Sequence, residues 1–147
     1  RLIGESNKND SALCSVYNGL GLYASNVQKD YYRSLTYFFK GVEAARRLSL
    51  YDRLYSILLS NIAGIYYLKN DSTGLKYALE CYELGHERKD PYLIYSGSTN
   101  TAYMYYLKSD YNTALKYNSG GGSSPWCRMT FMINQTFTIF MDIFCIN

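Results

Sequence analysis

The residues able to do chemistry are few and scattered. His86 is the only histidine among 147 residues, with no second histidine and no paired carboxylates in a recognisable motif. Its place near the end of a helical stretch suits an exposed residue that complements the helix dipole. Cys14, Cys81, Cys127 and Cys145 include no Cys-x-x-Cys and no histidine at metal-ligand spacing. Cys14 and Cys81 fall at apolar helix positions, which predicts small buried side chains. Gly120-Gly121-Gly122 lacks the Lys-Ser/Thr and the strand-to-helix context of a phosphate loop, and there is no nucleophile elbow. These absences point away from an enzyme and from a bound cofactor or metal. What remains are side chains suited to recognition: 18 tyrosines against six phenylalanines and one tryptophan, and a set of asparagines at repeating positions. Tyrosine pairs a large apolar ring with a polar tip, so it fits half-buried seams between helices and also adaptable binding surfaces.

Charge gives little away. A formal net charge of +3 is spread along the chain near acidic partners, as in Glu43-Ala44-Ala45-Arg46-Arg47, rather than gathered on one face. Direct nucleic-acid binding is therefore not expected.

The elements that must position these residues emerge from self-comparison. Ser34-Leu35-Thr36-Tyr37, Gly74-Leu75-Lys76-Tyr77 and Ala114-Leu115-Lys116-Tyr117 recur at a spacing of 40 residues. Upstream, the segment from Asn61 to Asp71 aligns without gaps on that from Asn100 to Asp110. The first copy is degenerate, with Asn18, Tyr23 and Asp30 in the corresponding places, a two-residue insertion in the turn, and Leu20 where a small residue belongs. Each unit reads as two helices. The first helix of the second unit runs from about Arg53 to Leu68, with Ile57, Leu58, Ile62, Ile65 and Tyr66 at three- and four-residue steps. Second helices follow at about Tyr31–Leu48, Ser72–Glu87 and from Tyr111 onward. Ser34, Gly74 and Ala114 stand where paired helices must approach closely. Asp10-Ser11, Asp52-Arg53 and Asp90-Pro91 have the form of N-caps between units, and Pro91 suits a first helical turn. The expected organisation is all-α: antiparallel helix pairs in units of about 10–51, 52–89 and 90–118, some two and a half repeats.

The run from Asn100 to Tyr117, Asn-x-Ala-x-x-Tyr-Tyr-Leu-Lys-Ser-Asp-Tyr-x-x-Ala-Leu-x-Tyr, resembles the tetratricopeptide repeat. The likeness covers roughly residues 10–118. Its period exceeds the family's usual ~34 residues and is similar to the long-helix variants of bacterial signalling proteins and transcription regulators. The resemblance implies an α-solenoid with a right-handed superhelix whose first helices line a concave, peptide-binding face. Carried over residue by residue, that face comprises Tyr17, Asn18, Gly21 and Ala24; Ser60, Asn61, Gly64 and Tyr67; and Thr99, Asn100, Tyr103 and Tyr106. The asparagines have two readings: amides that pair with a peptide backbone, or inter-helix hydrogen bonds that set repeat stacking. Relatives that clamp a C-terminal carboxylate use Lys and Arg on this face; Ser60, Gly64 and Thr99 stand there instead. The implied partner is a protein or peptide held by aromatic and amide contacts, the alternative being a spacer or dimerisation arm. A cytoplasmic setting is expected, a periplasmic sensor region being the alternative.

After Asn118 the character changes. Residues 119–125 have a flexible-linker composition. Residues 126–147 are apolar, with Arg128 and Asp142 the only charges. Asn134, Gln135 and Asp142 interrupt that stretch too often for a membrane span. A capping helix and a non-native or frame-shifted tail both fit, and either would self-associate or dock on the open end of the repeats.

Overall fold

The computed structural model describes residues 2–47 and 53–120, with side chains described between residues 9 and 118 of those stretches. All regular structure in them is helical. Helix α1 spans Leu2–Asn26, α2 Tyr31–Arg47, α3 Arg53–Leu68, α4 Leu75–Arg88, α5 Pro91–Leu107 and α6 Tyr111–Gly120; a 3₁₀ turn, Ser72–Gly74, leads into α4. Each helix packs on the next, and α3 also touches both α1 and α5. The first helices of the three hairpins therefore lie side by side.

The core follows from the apolar spacing. Phe38, Tyr55, Leu58, Leu59, Ile62 and Leu93 are fully buried in one cluster, which joins the first two hairpins to the start of α5. Ala63, Ala78 and Met104 form a second between α3, α4 and α5. The small residues do what their positions require. A Cβ at Gly74 would lie 2.6 Å from the Tyr66 Cβ, and the buried Ser34 hydroxyl donates to the Gly21 carbonyl at 2.9 Å.

The connections share one device. Lys29, Asn70, Lys89 and Ser109 all have left-handed backbone, with φ of 54–60°, and each is followed by an aspartate. The amides of Asp71, Asp90 and Asp110 reach back to the carbonyls of Tyr66, Gly85 and Tyr105 at 2.9–3.0 Å, closing the preceding helix as a Schellman motif does. Each carboxylate then caps the next element, accepting from Thr73 N, Tyr92 N and Thr113 N at 2.9, 2.9 and 3.1 Å. Hydrogen bonds from the hydroxyls of Thr73 and Thr113, and then from their amides, hold the Asp71 and Asp110 carboxyls below the usual carboxylate range. The left-handed conformation costs a β-carbon-bearing residue about 1–2 kcal/mol, against about 0.4–1 kcal/mol of extra chain entropy for glycine. Lys89→Gly should therefore stabilise the fold by roughly 0.5–1 kcal/mol, read as a raised midpoint in urea with an unchanged slope.

Two boundaries differ from expectation. Asp10 does not start a helix: α1 runs through it from Leu2. Asp10 is instead buried and takes both Nε and Nη2 of Arg47, at 3.1 and 2.9 Å, from the end of α2. At the other end α6 includes Ser119 and Gly120, so the linker composition begins inside a helix. The proposed cap at Asp52, the rest of the linker and residues 126–147 lie outside the described residues. Among the described residues, no helix is long and apolar enough to cross a membrane.

Candidate surface on the first helices

Asparagine side chains link the three first helices. Asn61 Nδ2 on α3 donates to Asn18 Oδ1 on α1 at 2.8 Å. Asn100 Nδ2 on α5 donates to Ser60 on α3, at 2.9 Å to Oγ and 3.1 Å to the carbonyl. The donor column is thus Asn61 and Asn100, and the acceptor column Asn18 and Ser60. Both contacts are partly buried. Of the two readings open to the asparagines, this is the stacking one.

These bonds also correct the register of the first unit. Asn18 takes the place of Ser60, one residue away from the place of Asn61 that sequence comparison assigns it. Gly21 then corresponds to Ala63 and is the small residue of the first hairpin, so Leu20 is no departure. Gly21 is buried against α2, where a Cβ would lie 2.4 Å from the Phe38 ring; it does not belong to the open face. Ala24 is buried as well. Tyr17, half-buried, also turns toward α2, its Cβ 3.4 Å from where a Cβ on Gly41 would stand. Leu22, which sequence comparison passed over, takes the place of Gly64 and is 38% exposed. The cause is physical: one residue in a helix turns a side chain by about 100°, so a one-residue error moves a residue from the open face to the seam.

On α3 and α5 the expected residues do come together. Tyr67 stacks on Tyr103 with ring centroids 4.6 Å apart and an interplanar angle of 24°. Tyr106 meets Tyr111 edge-on at 5.5 Å. Tyr103 is buried, whereas Tyr67, Tyr106 and Thr99 are half-buried. Burial first, and then the neighbouring Tyr106, raise the Tyr67 hydroxyl above the ordinary phenol range, so it stays a neutral hydrogen-bonding group at physiological pH. Gly64 lies one turn before Tyr67 on α3, and a Cβ built there has no atom of the described residues within 4 Å. None of Ser60, Asn61, Gly64, Tyr67, Thr99, Asn100, Tyr103 and Tyr106 is charged.

Five further tyrosines serve the opposite seam. Tyr66 stacks on Tyr77 at 5.8 Å and 10°, with Phe39 edge-on to Tyr77 at 5.6 Å. One unit later Tyr105 stacks on Tyr117 at 5.7 Å and 14°, with Tyr82 edge-on at 5.4 Å. For these five, tyrosine is a packing residue.

The remaining reactive groups do not converge. Cys14 and Cys81 are both buried, and burial pushes the Cys81 thiol up to about 11, far from a nucleophilic thiolate at neutral pH. His86 is exposed and sits edge-on to Tyr82 at 4.4 Å. No group of three His, Cys, Asp or Glu side chains among the described residues could hold a metal. Compared with known proteins, the chain matches no family model, no curated protein and no solved structure.

Proposed function

We propose that the chain is a non-catalytic protein-interaction module of the tetratricopeptide type, which holds an uncharged peptide or partner segment along the exposed face of α3 and α5. The carrying observation is Gly64. A glycine in mid-helix costs about 1 kcal/mol against alanine, and every other glycine in α2 to α5 has a neighbour within 3 Å of its would-be Cβ. At Gly64 that place is open, beside the stacked Tyr67 and Tyr103, so it admits a backbone from outside. Glycine where another chain must pass close to a helix is the usual use of the missing side chain, and tyrosine beside it supplies contact area at low entropic cost.

The test begins with selection of peptides from a random display library against the whole chain, followed by calorimetric titration. Selected peptides are expected to be uncharged and aromatic, to keep their affinity within about threefold when salt rises from low to high ionic strength, and to lose at least about tenfold (about 1.4 kcal/mol) on Gly64→Gln. Equal binding by Gly64→Gln, or a steep salt dependence, would sink the reading. A structural spacer is the second reading, favoured by the asparagine bonds between first helices; it is the outcome if no peptide is selected while Asn100→Ala lowers stability. The solenoid geometry and a role inside a larger bacterial signalling or regulatory protein belong to the same proposal and rest on the resemblance of Asn100–Tyr117.

A further inference from the structure

Helix α1 has the composition of a covered helix, but among the described residues it is covered on one flank only. From Ser11 to Gln28 it and its exit carry no charged residue. The first helices α3 and α5 are similarly poor in charge, and α3 is flanked on both sides by α1 and α5. On α1 the residues turned toward α2 and α3, such as Cys14 and Gly21, are buried. Leu13, Val16, Leu20 and Tyr23, and Val27 in the turn just past the helix, are turned away and stand 39, 54, 38, 54 and 64% exposed. Their spacing is 3, 4, 3 and 4 residues, the a/d seam of a two-helix coil rather than the wider apolar sector that a helix shows to a globular core. Gly19 lies beside this seam, and a Cβ built on it has no atom of the described residues within 4 Å. No packing among the described residues uses that glycine.

We propose that this face pairs with the same face of a second copy, α1 against α1 across a two-fold axis. A single helix is the occupant that a strict a/d seam fits, and an uncharged face meets its own copy without like-charge repulsion. Gly19 lets the two backbones approach. The contact would extend to the other flank of α1 the side-by-side packing that it already makes with α3. The stripe from Leu13 to Val27 is about 21 Å long and about 10 Å wide, on the order of 200 Å², well short of the ~800 Å² per partner of a standard interface. The expected dimer is accordingly weak and reversible. This surface is distinct from the face around Gly64, and neither proposal depends on the other.

Sedimentation velocity on the full chain, from about 5 to about 500 µM, brackets a Kd on the order of 10–100 µM, appropriate to an interface below standard size. Wild type is expected to pass from monomer to dimer over that range. Val16→Glu with Tyr23→Glu should stay monomeric with unchanged helical circular dichroism. Gly19→Gln, which has room to fold, should weaken the dimer at least about tenfold while leaving thermal stability equal or higher. Leu115→Glu, on the exposed side of α6, should leave the dimer intact. A monomeric wild type at the highest concentration, open-ended oligomers, association that survives the α1 variants, or its loss in Leu115→Glu would each overturn the proposal.

Discussion

Gly97→Ala is expected to lower the stability of this chain by about 3 kcal/mol, near the upper end of overpacking effects. The reason lies in the approach of α4 to α5. A Cβ on Gly97 would fall 2.5 Å from both the Cα and the amide nitrogen of Tyr82. The approach is reciprocal, because a Cβ on Gly85 would fall 2.6 Å from Ile94 N and 2.8 Å from Leu93 C. Backbone atoms cannot swing aside as a side-chain end can, so the pair of helices must move apart and loosen Leu93, Cys81 and the aromatic stack above them. For a chain of this size the loss corresponds to a fall in Tm of roughly 10 °C. Gly85→Ala should behave alike. Gly19→Ala is the control, since its Cβ meets nothing within 4 Å; it should be neutral or stabilise by about 0.5–1 kcal/mol. Thermal melts of the three variants check this, and equal effects at positions 19 and 97 would mean that α4 and α5 are not packed backbone to backbone.

The second large effect is alkaline. Tyr55 is buried in α3, and its hydroxyl donates to Glu80 Oε1 on α4 at 2.6 Å. Burial first, then the Glu80 hydrogen bond and charge, push the Tyr55 hydroxyl from the ordinary 10 up to about 12, with Arg46 acting the other way. A raised folded-state pKa means that the fold favours the neutral phenol. That stabilisation is complete below pH 10, the value in the unfolded chain, and is lost as pH rises from 10 through about 12. Full displacement would correspond to at most about 3 kcal/mol; Glu80 is partly exposed, and solvent screening brings the expected loss to about 1–2 kcal/mol. Tyr55→Phe removes both the hydrogen bond and the titration. At pH 8 it should be less stable than wild type by about 1 kcal/mol, and the two denaturation midpoints should converge by pH 11.5. Parallel curves across that range would show that Tyr55 is not held neutral by the fold.

How much of this was legible in the sequence depends on the element. The ends of α3 were, because Arg53 and Leu68 sit where a strong three- and four-residue apolar rhythm meets turn residues. The Asp90 cap was visible as an aspartate before a proline and an apolar run, and Asp71 and Asp110 as the aspartates that end the two aligned turns. The left-handed residues ahead of them were not, since Lys29, Lys89 and Ser109 carry no local mark of positive φ as a glycine would. Asp10 misled because an aspartate followed by a serine has the form of a cap; its long-range partner Arg47 decides otherwise, and spacing along the chain does not reveal such partners. The register of α1 was missed for the same kind of reason. Matching Asn18 to Asn61 maximises residue identity, whereas the hydrogen bond makes those two residues partners. Within the candidate surface, Ser60, Gly64, Tyr67 and Thr99 were found through the repeat, Gly21 and Tyr17 were misplaced by one helical step, and Leu22 was passed over because leucine in a helix reads first as core.

The central claim is that the face of α3 and α5 around Gly64 is the recognition surface and that the asparagines only fasten it. Backbone chemical-shift mapping of the whole chain, titrated with a display-selected peptide, tests this most directly. The expected result is a contiguous set of perturbed amides at Ser60, Gly64, Tyr67, Thr99 and Tyr106, with α2 and the far side of α4 unmoved. Perturbations gathered on α2 and α4, or along the outer stripe of α1, with the Gly64 amide unchanged, would contradict it.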